Sequence, residues 1–195
     1  MSDDDDDARL MQAVAEGDRA AFARLFDRHQ QMVVRFAYRF VGSTARAEEL
    51  AQDIFVKLYR SAKGYRPTAK FKTYLFRVAT NHCLNELRRK DYRLETNDDA
   101  EAETDARDSG AERPDESLEG KELEKAVGVA MAKMTDRERL AFTMCRFEGL
   151  PYKEIADALQ ASEAAVKSLI HRATLQVMTQ VEQWRRDLRP ARSEA

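Results

Sequence analysis

The sequence predicts an all-α protein made of two small helical domains joined by a flexible acidic linker. Apolar residues recur at helical spacing in both halves, and neither half shows alternating strand patterns or hairpin turns. Charge is sharply segregated along the chain. Gly, Ser, Thr and Pro stand where helices should start and stop. The 195 residues fit one ordinary domain or two small ones, which excludes a large multidomain enzyme.

A short helix near Leu10–Ala15 comes first. A long helix follows, with Phe22, Leu25, Phe26, Val33, Phe36, Ala37 and Phe40 on one face. Gly42 should end it, and Ser43 or Thr44 should cap the next helix. That helix buries Ala47, Leu50, Ala51, Ile54, Phe55 and Leu58 and stops near Gly64. After a loop through Tyr65, Pro67 and Lys70, a further helix buries Phe71, Tyr74, Leu75, Val78, Cys83 and Leu87. This much aromatic helix can build its own core.

The stretch Glu95–Glu119 holds Leu118 as its only large apolar residue, too little to offset the entropy of ordering, so it reads as linker. Beyond it, a helix carries Leu123, Val127, Ala130 and Met134. Thr135-Asp136-Arg137-Glu138 has capping-box spacing and opens a helix ending at Gly149. Pro151 suits a first helical position and starts a short helix with Ile155, Ala156 and Leu159. A turn at Gln160-Ala161 leads to Ser162 as N-cap of a longer helix with Val166, Ile170, Ala173 and Val177. Short helix, tight turn and longer helix make a helix-turn-helix pattern, shared by DNA readers and by plain helical bundles.

The net charge of −2 hides its distribution. Residues 8–94 hold 18 Lys and Arg against 8 Asp and Glu, residues 95–124 hold 3 against 13, and residues 125–195 hold 12 against 9. Basic domains around an acidic segment suit a polyanion partner, or simply an unevenly charged helical surface. No apolar run approaches the roughly 20 residues of a membrane span. Met1-Ser2 and the acidic run Asp3–Asp7 lack the charge and apolar core of a targeting peptide, so a cytoplasmic location is expected, with the run as a solubilising tail. Cys83 and Cys145 form neither a disulfide framework nor a metal knuckle, and no cofactor is expected. His29 and His82 read as satisfied residues at the core edge. No Gly-rich phosphate loop, paired carboxylates or Cys-His nucleophile pattern supports an enzyme.

Two stripes can read nucleic acid. At about 100° per residue, Arg77, Asn85, Arg88 and Tyr92 fall within about 40° of Asn81 on the third long helix. Amides pair with adenine edges and guanidinium groups with guanine or phosphate. Arg89 and Lys90 extend the basic end, while Tyr65, Phe71 and Tyr74 offer rings to an unpaired strand or else belong to the core. In the last helix, Ser162, Glu163, Ala165, Lys167, Ser168, His171 and Arg172 lie near the end that would enter a major groove. Lys167 and Arg172 are the phosphate candidates; His171 reads equally as phosphate contact or plain surface.

These residues resemble a known family. Phe71-Lys-Thr-Tyr-Leu-Phe-Arg-Val-Ala-Thr-Asn81-His-Cys-Leu-Asn85-Glu-Leu-Arg-Arg89 resembles the promoter-melting and −10 recognition segment of sigma factors. Ala47-Glu-Glu-Leu-Ala-Gln-Asp-Ile-Phe-Val-Lys-Leu-Tyr59 resembles the neighbouring helix that docks on the β′ clamp helices of RNA polymerase. Glu148-Gly-Leu-Pro-Tyr-Lys-Glu-Ile-Ala-Asp-Ala-Leu159, through Val166–Ala173, resembles the −35-reading domain. The whole is similar to the extracytoplasmic-function subgroup over about residues 8–185.

The resemblance implies a sigma region 2 helical bundle over 8–94 and a sigma region 4 helix-turn-helix domain over 119–186, joined by linker 95–118, with tails at 1–7 and 187–195. It implies polymerase docking by Glu49, Gln52, Asp53 and Phe55, and −10 contacts from Lys63, Lys70, Tyr74, Arg77, Asn81, Asn85, Arg88 and Arg89. The loop Lys63–Lys70 would hold an extruded base, and the linker would follow the RNA-exit path by charge mimicry. Implied partners are core RNA polymerase (β′ clamp helices and β flap), promoter DNA and an anti-sigma factor, without membrane insertion. The sequence departs from the family at Tyr74, where tryptophan is usual, at Gln160 in place of the turn glycine, at Ala164-Ala165 in place of Gly-Thr, and at Leu169 in place of arginine. Leu169 lies three residues after Val166 and can widen the buried face instead. The rival reading is a helix-turn-helix regulator that binds duplex DNA alone. It accounts for residues 135–180 and leaves the docking helix and the Asn/Arg stripe unexplained.

Overall fold

The computed structural model describes residues 3–96 and 118–188, with side chains for 5–86 and 120–188. Their regular structure is entirely helical, without a strand among the described residues. The first domain comprises α1 (Asp3–Ala15), α2 (Arg19–Val41), α3 (Thr44–Ser61), a 3-10 turn at Ala62–Gly64, and α4 (Phe71–Thr96). The second comprises α5 (Leu118–Lys133), α6 (Asp136–Arg146), α7 (Tyr152–Leu159) and α8 (Glu163–Leu188). Helices α2, α3 and α4 bury the apolar faces expected of them around Leu25, Phe36, Ile54, Leu58, Phe71 and Phe76.

Helix ends follow local chemistry. Gly42 adopts φ 76° and donates its N–H to Tyr38 O at 2.7 Å, closing α2 where the sequence places the stop. Asp18 caps the start of α2 by accepting from the N–H groups of Ala20 and Ala21. Ser43 holds the N-cap position of α3, but its side chain makes no capping bond. Thr135 and Glu138 form the expected capping box, with Glu138 accepting from Thr135 N at 3.0 Å and Thr135 from Glu138 N at 3.4 Å. Pro151 sits one residue earlier than expected, at the N-cap, with α7 starting at Tyr152.

Two expectations change. The acidic run Asp3–Asp7 is not a tail but the opening of α1, where carboxylates favour the positive end of the helix dipole. Asp7 is buried, pairs with Arg28 and lies 2.7 Å from His29 Nε2, while Asp6 holds Arg28 at 3.0 Å. His82 is not satisfied. It is 2% exposed and makes no hydrogen bond, its nitrogens lying 3.5 Å from Asp53 and 4.0 Å from Glu86. Burial first, then the Lys57 charge, pushes its pKa below the usual 6.5, so the ring is neutral at neutral pH.

The sequence leaves the relation of the domains open. One continuous apolar core runs from Leu25, Phe36 and Phe76 of the first domain to Leu140, Ile155 and Ile170 of the second. A smaller cluster of Met131, Met134, Phe142 and Ala173 closes α5 against α6 and α8. Arg139 joins the halves as well, donating to Met131 O, Met134 O and, at 2.8 Å, Phe40 O. The two domains therefore stack on each other. Residues 97–117, the body of the expected linker, lie outside the described residues.

Candidate nucleic-acid and partner interface

The exposed face of α3 carries Glu49, Gln52 and Asp53 at helical spacing, all open to solvent. Beside it, Phe22, Phe26, Gln52, Phe55, Val56 and Tyr59 line an open groove of about 660 Å³ between α2 and α3. Phe55 is only 3% exposed; it forms the groove floor, its ring 4.8 Å from Phe26. The apolar groups that can meet a partner are Val56, 44% exposed, and Tyr59, 40% exposed. Sequence reasoning missed both, although Val56 follows Asp53 by three residues and so shares its face. Arg19 and Arg60 join Gln52 to complete the lining of this apolar trough, a shape that suits an amphipathic helix.

On α4, Arg77, Asn81 and Asn85 project into solvent one turn apart, opposite the buried Leu75, Phe76, Ala79 and Cys83. Burial pushes the Cys83 thiol well above its usual range and leaves it inert. Arg88, Arg89 and Tyr92 fall on the α4 backbone, but their side chains lie outside the described residues. Phe71 is fully buried and belongs to the core. Tyr74 is half-buried between the two roles: its hydroxyl shares a 2.8 Å hydrogen bond with Ser61, its ring lies 4.8 Å from Tyr65, and the Arg77 guanidinium sits 5.2 Å from its centroid. The exposed loop 66–70 and Lys63 border a hollow of about 490 Å³ lined by Gln12, Glu16, Lys63, Tyr65, Arg66 and Pro67. Lys70, at the end of that loop, reaches Glu154 of the second domain at 2.7 Å.

The helix-turn-helix is formed by α7, the turn 160–162 and α8. Gln160 takes the left-handed conformation (φ 49°, ψ 52°), the backbone state that the usual glycine adopts freely. Leu169 is buried beside Val166 and Ile170, as its spacing predicts. The proposed reading residues then divide. Glu163, Ala165, Lys167 and His171 are exposed. Ser162 accepts from Ala165 N at 3.1 Å, and Ser168 donates to Ala164 O at 3.0 Å, so their hydroxyls already serve the helix. Arg172 donates from Nε to the buried Glu138 at 2.6 Å. Burial alone would raise the Glu138 carboxyl; the bonds from Arg172 and Thr135 outweigh it and hold the pKa below its ordinary value. Among the described residues no helix is long and apolar enough to cross a membrane, and no His, Cys, Asp or Glu cluster could hold a metal.

This arrangement has known counterparts. Residues 25–93 match the Sigma-70 region 2 family, and residues 124–176 match Sigma-70, region 4. The chain is 33% identical over 178 residues to the RNA polymerase sigma-H factor of Pseudomonas aeruginosa, covering 89% of this chain and 92% of that one. It is 30% identical to the ECF RNA polymerase sigma-E factor of Escherichia coli, covering 89% and 93%. Among solved structures, the sigma factor RpoE bound to the anti-sigma factor NepR from Bartonella quintana aligns with a TM-score of 0.68 at 17% identity, over 83% of this chain and 96% of that one. CnrH bound to the cytosolic domain of CnrY aligns with a TM-score of 0.65 at 21% identity, over 91% and 97%.

Proposed function

The chain belongs to the extracytoplasmic-function RNA polymerase sigma factors, alternative factors that direct the polymerase to promoters, and on that premise we propose how its residues divide the work. The α3 face of Glu49, Gln52 and Asp53, with Val56 and Tyr59 beside it, docks on the β′ clamp helices of core polymerase. Phe55 supports that face from beneath. The observation that carries this reading is the exposed apolar groove set against an acidic and amide stripe on one helix.

The α4 stripe of Arg77, Asn81 and Asn85, continued by Arg88 and Arg89, then engages the −10 element. Unstacking a base costs a few kcal/mol and needs a compensating pocket. The hollow beside Lys63, Tyr65 and Arg66 supplies one, with cations to follow the backbone. Lys167 and His171 of α8 contact phosphate at the −35 element, and Glu163 and Ala165 face the bases. The chemistry of RNA synthesis belongs to the polymerase. An anti-sigma protein that covered the α3 groove would silence the chain at its docking step.

The test is size-exclusion chromatography with core polymerase, wild type beside Asp53→Arg. Wild type is expected to co-elute and Asp53→Arg to elute free. Failure of wild type to co-elute at micromolar concentration, with tight binding to duplex DNA alone, would favour the regulator reading instead.

A further inference from the structure

The first domain buries an unpaired imidazole where α3 and α4 meet. His82 of α4 is 2% exposed, and neither ring nitrogen has a hydrogen-bond partner among the described residues. Asn81, its neighbour in sequence, faces solvent, whereas His82 turns inward toward α3. Its Nε2 lies 3.5 Å from Asp53 Oδ2, on the face that carries Glu49 and Gln52. Two further charges act on the ring. Lys57 stands one turn beyond Asp53 on α3, and Glu86, one turn beyond His82 on α4, lies 4.0 Å from Nδ1.

A buried polar group without a partner costs stability that an apolar side chain of similar size would not. Folding therefore does not account for an imidazole at this position. The ring is neutral at neutral pH, through burial first and then Lys57, so it carries one N–H, which either nitrogen can hold. Asp53 is the nearer acceptor, but 3.5 Å is long for a bond from a ring N–H. In the free chain Asp53 needs no such bond, because its side chain is 64% exposed and water solvates it. Docking changes both halves of the pair. A partner laid over the α3 face removes water from the carboxylate, and His82 Nε2 is the donor that stands beneath it. A closure of about 0.6 Å, to the usual length of about 2.9 Å, joins a desolvated acceptor to an orphaned donor. The ring is held by its burial, so the carboxylate is the group that becomes fixed.

We propose that His82 is a positioning residue of the polymerase dock: its Nε2–H donates to Asp53 once the α3 face is covered, and holds that carboxylate toward a cationic group of the partner. This rests on the reading of Asp53 as a docking residue.

A double-mutant cycle on the affinity of the full-length chain for core polymerase tests it. His82→Leu nearly keeps the volume and removes the donor. Binding should weaken by about tenfold, since a hydrogen bond to a charged group is lost in the docked state. The melting temperature of the free chain should stay the same or rise, because that state has no such bond to lose. On an Asp53→Ala background, His82→Leu should cost nothing further. His82→Met, also without a donor but more pliable, is run beside it in case leucine prevents folding. His82→Gln, whose side chain again carries an N–H at Nε2, should bind within about threefold of wild type. Wild-type affinity in both donor-free variants, equal losses with and without Asp53, or no rescue by glutamine overturns the positioning role and leaves the dock standing. Wild-type affinity in Asp53→Ala alone removes the docking reading and the positioning role with it.

Discussion

The two domains present their reading helices differently. On α4 the stripe of Arg77, Asn81 and Asn85 stands clear of the core that the opposite face builds. On α8 nearly half of the expected set is already engaged: Ser162 caps the helix, Ser168 bonds the backbone and Arg172 holds Glu138. Residue type and helical position were the same kind of signal in both places. What differs is the local demand for partners. Ser162 meets an orphan amide at the start of the helix, Ser168 meets the carbonyl one turn back, and Arg172 meets a carboxylate brought in by α6.

This contrast can be broken most sharply at Arg172. Its replacement by Ala leaves the buried Glu138 carboxylate without its cation, at a cost of about 1–2 kcal/mol. The melting temperature should fall by several degrees in calorimetry. Lys167→Ala should leave the melting temperature unchanged and lower the slope of log affinity against log salt by about 1. Equal stability of the two variants would place Arg172 with the DNA contacts after all.

The turn before α8 offers a smaller effect of opposite sign. Gln160 holds a positive φ that costs a non-glycine residue about 1–2 kcal/mol, and glycine returns part of that gain as backbone entropy. Gln160→Gly should therefore raise stability by about 0.5–1 kcal/mol, read from urea denaturation at unchanged m-value.

Acid should act on the second domain through Glu138. Its pKa is lower folded than unfolded, so its contribution is complete above the unfolded value and fades as pH falls through the folded one. Melting temperature should drop as pH falls below about 4.3, and Glu138→Gln should flatten that part of the profile while lowering the plateau above it. A profile of identical shape for Glu138→Gln would remove Glu138 from the acid response.

Much of this was legible in the sequence because it is periodic or local. The apolar spacing of α2 and α3, the stop at Gly42, the Thr135–Glu138 box and the burial of Leu169 all follow from one element and its ends. The unread parts depend on distant partners. Asp7 reads as tail until Arg28 and His29, on the next helix, come to meet it. Phe55 reads as a docking residue until Phe22 and Phe26 cover it, which leaves the role to Val56 and Tyr59. Lys70 reads as a −10 contact until Glu154 arrives from another domain. Helical period assigns a face; it does not say which other surface will occupy that face.

Docking and promoter opening reside on different helices of the first domain, a division that permanganate footprinting can check. Core polymerase would be reconstituted with wild type or with Asn81→Ala combined with Asn85→Ala, and thymine reactivity at the −10 element read on the same promoter. Two lost amide pairs are worth about 1–3 kcal/mol each, so opening should fall by at least about tenfold while co-elution with core is kept. Wild-type reactivity from the double variant would make the α4 stripe surface without a part in opening.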